Sequence, residues 1–290
     1  TDMFPGFGLE RHAEEISLIL DYELDSGIAI QFITASHEDG YASMNDVDRR
    51  PTAGLTGFVL FAPSSADSYQ LLVNKMEDSH HEIRITSPSD QRFRWLIGAA
   101  KSERKGLATR YSQLAGYAPS AATVPLLFEP ETTAVFGSIG YDINDKLSLS
   151  VEGRQQDDEV CDGSVGGNVL CGTFKSFNPR ITADYKINEN TMLYLTYAEG
   201  TNPGQFNTGL VGRTAAELSQ IYALISADVE IDEEELENIE VGIKTEILGG
   251  RGQLSLAAYT GDWSNIPIAQ IACIINVSDV AECIQANGSG

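Results

Sequence analysis

No stretch of this 290-residue chain approaches the roughly 18 consecutive apolar residues that a membrane-crossing helix requires. That excludes a helical membrane protein. It does not exclude a membrane β-barrel, in which only every second residue of a strand meets lipid. Basic residues are also scarce: 19 Lys and Arg stand against 42 Asp and Glu, a formal net charge of -23. Nucleic-acid partners call for clusters of Lys and Arg, so they are excluded, as is a basic helix lying on a membrane surface. The acids gather at Asp157, Asp158 and Glu159 and again from Asp228 to Glu237. Such runs read either as solvated surface or as a divalent-cation site, and no EF-hand spacing is present.

Histidine is limited to His12, His37, His80 and His81, and no GxSxG nucleophile motif accompanies them. No catalytic residue is expected, and the chain reads as a non-enzyme. His80 and His81 are adjacent on a strand and point to opposite faces, so they make no metal pair. Neither a metal nor a cofactor is expected. The four cysteines form two close pairs, Cys161 with Cys171 and Cys273 with Cys283. Ten-residue spacing with no nearby His is wrong for zinc, so the expectation is two local disulfides in an oxidising compartment. The chain opens at Thr1 without a secretory leader, which is expected of a processed product or an excerpt.

What the chain does have is alternation. Between Phe177 and Phe206, residues Ile181, Ala183, Tyr185 and Ile187 alternate with Thr182, Asp184 and Lys186; Asn188-Glu189-Asn190 then precedes a second run from Met192. The same pattern recurs at 16–24 with 28–36 across the turn Asp25-Ser26-Gly27, at 81–86 with 93–103, at 132–142 with 146–156, and at 235–248 with 253–263. This predicts about ten strands in five hairpins. Tight turns join the strands within each hairpin. Long connections are predicted between hairpins at 37–78, 104–130, 157–175 and 201–234, with a last one at 264–290. Short helices are expected near Ser68–Met76 and in TAAELSQIYALISA, where Leu218, Tyr222 and Ile225 recur at helical spacing. Long excursions at one end and tight turns at the other are what a transmembrane barrel predicts. The fold class is therefore all-β: an antiparallel up-and-down transmembrane β-barrel, present in part, as a single domain over 1–290. Glu152, Arg154, Arg180, Asp184, Glu240 and Lys244 share the polar register and are expected to face the lumen. Tyr111, Tyr117 and Tyr222, in the predicted excursions, are candidate ligand contacts.

At this point the sequence resembles the barrel of a TonB-dependent outer-membrane receptor. NPRITADYKINENTMLYLTYAEGTNPGQFN carries Pro179, Arg180, Tyr185, Leu193, Tyr194, Tyr197, Gly200, Pro203, Gly204, Phe206 and Asn207 at that family's motif positions. EEELENIEVGIKTEILGGRGQLSLAAYTGDWSNI and EIRITSPSDQRFRWLIGA resemble two further family segments, in the right order. Departures are Ile239 in place of the usual Tyr, Glu199 in place of Arg, and Thr201 in place of an aromatic. The resemblance implies a bacterial outer-membrane location, contact with outer-membrane lipid, and import of a scarce nutrient such as siderophore-bound iron, cobalamin, haem or an oligosaccharide. It also implies coupling to TonB through a plug region that this sequence does not contain, and a wall of about 22 strands in the full barrel. A passive porin and a soluble β-rich binding module are the alternative readings. Acidic loops disfavour anionic ligands through long-range repulsion.

Overall fold

The computed structural model describes residues 8–46, 68–114, 126–276 and 281–289. In chain order the elements are β1 (Gly8–Glu23), β2 (Ala29–Asp46), β3 (Ser68–Thr86), β4 (Phe93–Leu114), β5 (Leu126–Asp142), β6 (Leu147–Ser164), β7 (Val169–Asn188) and β8 (Thr191–Asn202). They are followed by β9 (Gln205–Phe206), a 3-10 turn (Thr208–Leu210), α1 (Ala215–Tyr222), β10 (Glu230–Ile231), β11 (Glu234–Ile247), β12 (Gly252–Ser264), β13 (Pro267–Ile275) and β14 (Ala281–Ser289). Ten of these strands form one antiparallel sheet in the order β1-β2-β3-β4-β5-β6-β7-β8-β11-β12. The five expected hairpins are all present and their turns share one end of the sheet. Gly27, at φ +79°, turns the first of them, a backbone region that costs glycine nothing.

The strands outrun the segments read from alternation. Residues 37–46 and 68–78 are β2 and β3, and 104–114 continues β4, where loops were expected. Ser68–Met76, read as helix, is the start of β3, because its backbone groups are taken up by β4 in unbroken register. The segment 157–175 is two paired strands closing on a tight turn at 165–168, with Ser164 N–H donating to the Asn168 carbonyl at 3.3 Å. One of the between-hairpin connections is therefore short. Residues 47–67 and 115–125, including Tyr117, lie outside the described residues.

Register aligns the side chains into rows across the sheet. One row runs Trp95, Ile139, Val151, Ile181, Tyr197 and Ile239; another runs Tyr22, Ile30, Ile85 and Ile97. These apolar rows are open to the surroundings: Ile139, Val151 and Val241 are each more than half exposed. A water-soluble sheet would cover so large an apolar surface. On β6 the outward positions pass from Leu147, Leu149 and Val151 to Gln155 and Asp157, and the matching positions on β4 pass from Ile97 and Ala99 to Lys101. Lys101 there reaches Glu103 at 2.7 Å and Glu131 at 2.9 Å, and Lys175 reaches Asp157 at 3.0 Å. The apolar band thus stops at a polar margin while the ladders continue beyond it. Aromatic Phe93, Trp95, Tyr141 and Tyr185 lie at the turn end of the band, as in the interfacial girdles of membrane barrels.

Candidate functional site: the polar face and its cap

The opposite face carries the charge. Glu152 and Arg180 are direct cross-strand partners, with Nη1 and Oε2 3.6 Å apart. Arg154, one row further from the turns, donates to Gln156 Oε1 at 2.8 Å and lies over the Phe136 ring. Asp184 falls in the row of Ser148, Asp142 and Tyr194. Tyr194 Oη donates to Glu240 Oε1 at 2.5 Å, and the Lys244 ammonium sits 5.0 Å from the Tyr194 ring centre. Gly242 lies under that same ring, and an added Cβ would meet it at 2.5 Å. The six residues predicted to share a face do share one. Near the turns, Arg94 grips Asp142 with two bonds of 2.6 and 2.7 Å, and Ser148 donates to the same carboxylate. A charged group pays little for desolvation when it is paired this way, which lets the face stay both polar and ordered.

Beyond the band, the chain between β8 and β11 folds back onto this face. Gly204 lies so close to Ile231 and Phe174 that a Cβ would fall 2.2 Å from the Ile231 carbonyl. Only glycine permits that approach. Phe206 stacks obliquely on Phe174 with centroids 6.0 Å apart, and its N–H donates to Asp162 Oδ2 at 3.0 Å. Burial raises the Asp162 carboxyl above the ordinary aspartate range, an effect that the Phe206 N–H opposes. Glu233 is raised as well, by burial first and then by Glu235, Asp232 and Asp158.

α1 forms where the helical spacing indicated. Its start is fixed by a capping box: Thr214 Oγ1 accepts from the Glu217 N–H while the Glu217 carboxylate takes the Thr214 N–H. This signal, T-x-x-E, was readable in the sequence. The expected long tail is instead the hairpin β13–β14, and Cys273–Cys283 bridges directly opposed residues in it. Cys161–Cys171 likewise joins opposed residues of β6 and β7. Both expected disulfides are present. Leu210, Ile221, Ile225, Ala227, Ala272, Ile274, Ile284 and Ala286 form a small core between α1 and this hairpin. The result is a cap at the end away from the tight turns. Of the candidate contact tyrosines, Tyr222 is on α1 and partly exposed, whereas Tyr111 lies within β4 rather than in a loop, because strand pairing with β3 extends past it.

The family model described as TonB dependent receptor-like, beta-barrel, matches residues 5–281. The chain belongs to this family. Its barrels lie in the bacterial outer membrane, which accounts for the open apolar rows. No curated protein sequence matches the chain. Among solved structures, the ferric yersiniabactin uptake receptor FyuA from Yersinia pestis is similar, with a TM-score of 0.64 and 13% identity over 91% of this chain and 39% of that one. The pyoverdine outer membrane receptor FpvA from Pseudomonas aeruginosa aligns with a TM-score of 0.67 and 17% identity, over 90% of this chain and 37% of its own. The copper transporter OprC aligns at 0.62 and 11% identity, over 98% and 43%. This TonB-dependent receptor chain therefore spans about two-fifths of the length of each of these three structures.

Proposed function

We propose that this chain forms an arc of the wall of an energised outer-membrane importer, with its polar face toward the lumen and its cap at the cell exterior. The observation that carries the reading is the division of one sheet into an open apolar face and a face of paired charges. The imported solute is a scarce nutrient of the kind the family's relatives handle: siderophore-bound iron, cobalamin, haem or an oligosaccharide. Glu152, Arg154, Arg180, Asp184, Glu240 and Lys244 line its path, and Tyr222 on α1 is the candidate contact nearest the entrance, whereas Tyr111 shares the outward face of β4 with Lys101. TonB acts on the receptor through a plug, and the role of this chain is wall and vestibule rather than the moving part or a catalyst.

Thiol labelling of receptor assembled in outer-membrane vesicles tests the assignment of faces. A membrane-impermeant maleimide should modify Glu240→Cys once the lumen is open to water and leave Val241→Cys unmodified. Modification of Val241→Cys with protection of Glu240→Cys would reverse the two faces. Deleting the gene should abolish growth on the one nutrient it imports, and unchanged growth on every candidate nutrient would remove the import reading.

A further inference from the structure

Among the described residues, the arginines of the polar face are matched to carboxylates with one exception. Arg11 pairs with Asp39, Arg84 with Glu82, Arg94 with Asp142, Arg104 with Asp78 and Arg180 with Glu152. Arg154 is different. Its Nε donates to the neutral amide of Gln156 and its guanidinium lies 5.9 Å from the Phe136 ring centre. In a chain with 42 acids, this guanidinium is bedded on neutral partners. Its terminal nitrogens make no described bond to a carboxylate, and a guanidinium offers two parallel N–H bonds to such a group.

Arg154 lines a cavity of about 520 Å³ together with Arg84, Phe136, Glu152, Asn178 and Arg180 among others. Asn178 is the direct cross-strand partner of Arg154. Its amide nitrogen bonds the hydroxyls of Ser176 and Thr201, while Oδ1 is buried without a partner. Both hydroxyls can donate as well as accept, so the amide can turn and offer its N–H₂ instead. Glu199 borders the cavity and accepts a hydrogen bond from the Tyr197 hydroxyl. The volume is that of a small-molecule site rather than of a single ion.

We infer that Arg154, with Asn178 beside it and Arg84 and Arg180 flanking, is a carboxylate-binding subsite on the wall, taking a small polycarboxylate or a solute that carries one. This deepens the import reading and rests on it, by naming the chemistry of the solute. It also runs against the expectation from the acidic loops. Repulsion from exposed acids is long-ranged and screened by salt, whereas a bidentate contact in a cavity is short-ranged and screened far less. A solute of this class is slowed at the entrance and held at the wall.

The test is a calorimetric titration of receptor purified from the outer membrane in detergent, at low ionic strength, with citrate as the probe and neutral triethyl citrate as its control. Citrate should bind saturably. Arg154→Gln should weaken it about tenfold or more, the size expected for losing a charged hydrogen-bonded contact, and Lys175→Gln on the other face should leave it unchanged. Equal citrate affinity in wild type and Arg154→Gln, no saturable citrate binding, or equal binding of the triethyl ester would each overturn the inference. Thiol labelling separates this from the import reading: a receptor that labels at position 240 yet ignores citrate loses the subsite alone.

Discussion

Asn207 and Asn287 hold one another as neighbouring strands do: Asn207 Nδ2 donates to the Asn287 carbonyl at 2.7 Å, and the Asn287 N–H donates to Asn207 Oδ1 at 2.9 Å. A side-chain amide has the same donor and acceptor as a peptide group, so it can close a strand edge that backbone does not reach. Gln220 does the same for Ile275, and Gln270 for Ser226. Three amides thus stitch the β13–β14 hairpin to the excursion between β8 and β11.

The first expectation follows from that buried amide. Asn207→Ala removes its bonds to Asp228 and Asn287 and leaves backbone groups unsatisfied in a site that is 8% exposed. The cap should lose about 1–3 kcal/mol of local stability. Hydrogen exchange should quicken across 205–231 and 281–289 and stay slow in the ten-stranded sheet. Asn207→Asp should behave no better, since a carboxylate cannot donate to either carbonyl.

The disulfides give a second. Cys273 and Cys283 clip a hairpin otherwise held by the small core around Ile221 and Ile274 and by the three amides. Closing a loop of this length contributes about 2–3 kcal/mol in the chain-entropy account. Reduction, or Cys273→Ser with Cys283→Ser, should free 267–289 to proteolysis without loosening β1 to β8. Cys161→Ser with Cys171→Ser should have a smaller effect, because strand pairing continues on both sides of that bridge.

A third concerns lipid. Val241 lies in an outward row with Leu195 and is half exposed. In the assembled receptor Val241→Arg should cost about 2–4 kcal/mol near the bilayer midplane, whereas Glu240→Arg, one residue away on the other face, should cost far less. Urea unfolding from bilayers measures both. Equal costs would mean that neither face meets lipid.

The fourth is a pH dependence. The Asp162 carboxyl is raised in the fold, chiefly by burial, so the folded cap holds its proton to higher pH than the unfolded chain does. Its contribution to docking is full below the ordinary aspartate pKa and is lost as pH rises through the raised one. Glu233 acts in the same direction. Protection of the Phe206 amide should therefore fall as pH rises above the ordinary aspartate range. Asp162→Asn, which keeps an oxygen for that N–H, should flatten the Asp162 part of the profile.

Within the apolar band the fold was legible in the sequence. Leu147, Leu149 and Val151 against Ser148, Ser150 and Glu152 name a strand and its faces, and Asp25-Ser26-Gly27 or Gly249-Gly250-Arg251 names the turns. Beyond the band both faces are polar, so DDEVCDGS carries no alternation to read. It is a strand because β5 and β7 hold its backbone, not because of its side chains. The same holds for Ser68–Met76, expected as a short helix, which is a strand because β2 and β4 take up its backbone groups. Which residues share the polar face follows from parity. That Glu152 meets Arg180, or that Arg154 meets neutral Gln156, depends on register and rotamer. The cap was hidden for another reason: Leu210, Ile221, Ala272 and Ile284 are far apart in the chain, and the helical spacing around Ile221 names α1 but not the hairpin it packs on.

Ladders that climb past the hydrophobic belt make the mouth a stiff collar. Its hydrogen-bonded staves cannot yield one at a time. Among the described residues the one separately cored body at that end is the small cap clipped by Cys273–Cys283, so any rearrangement there moves it as a unit.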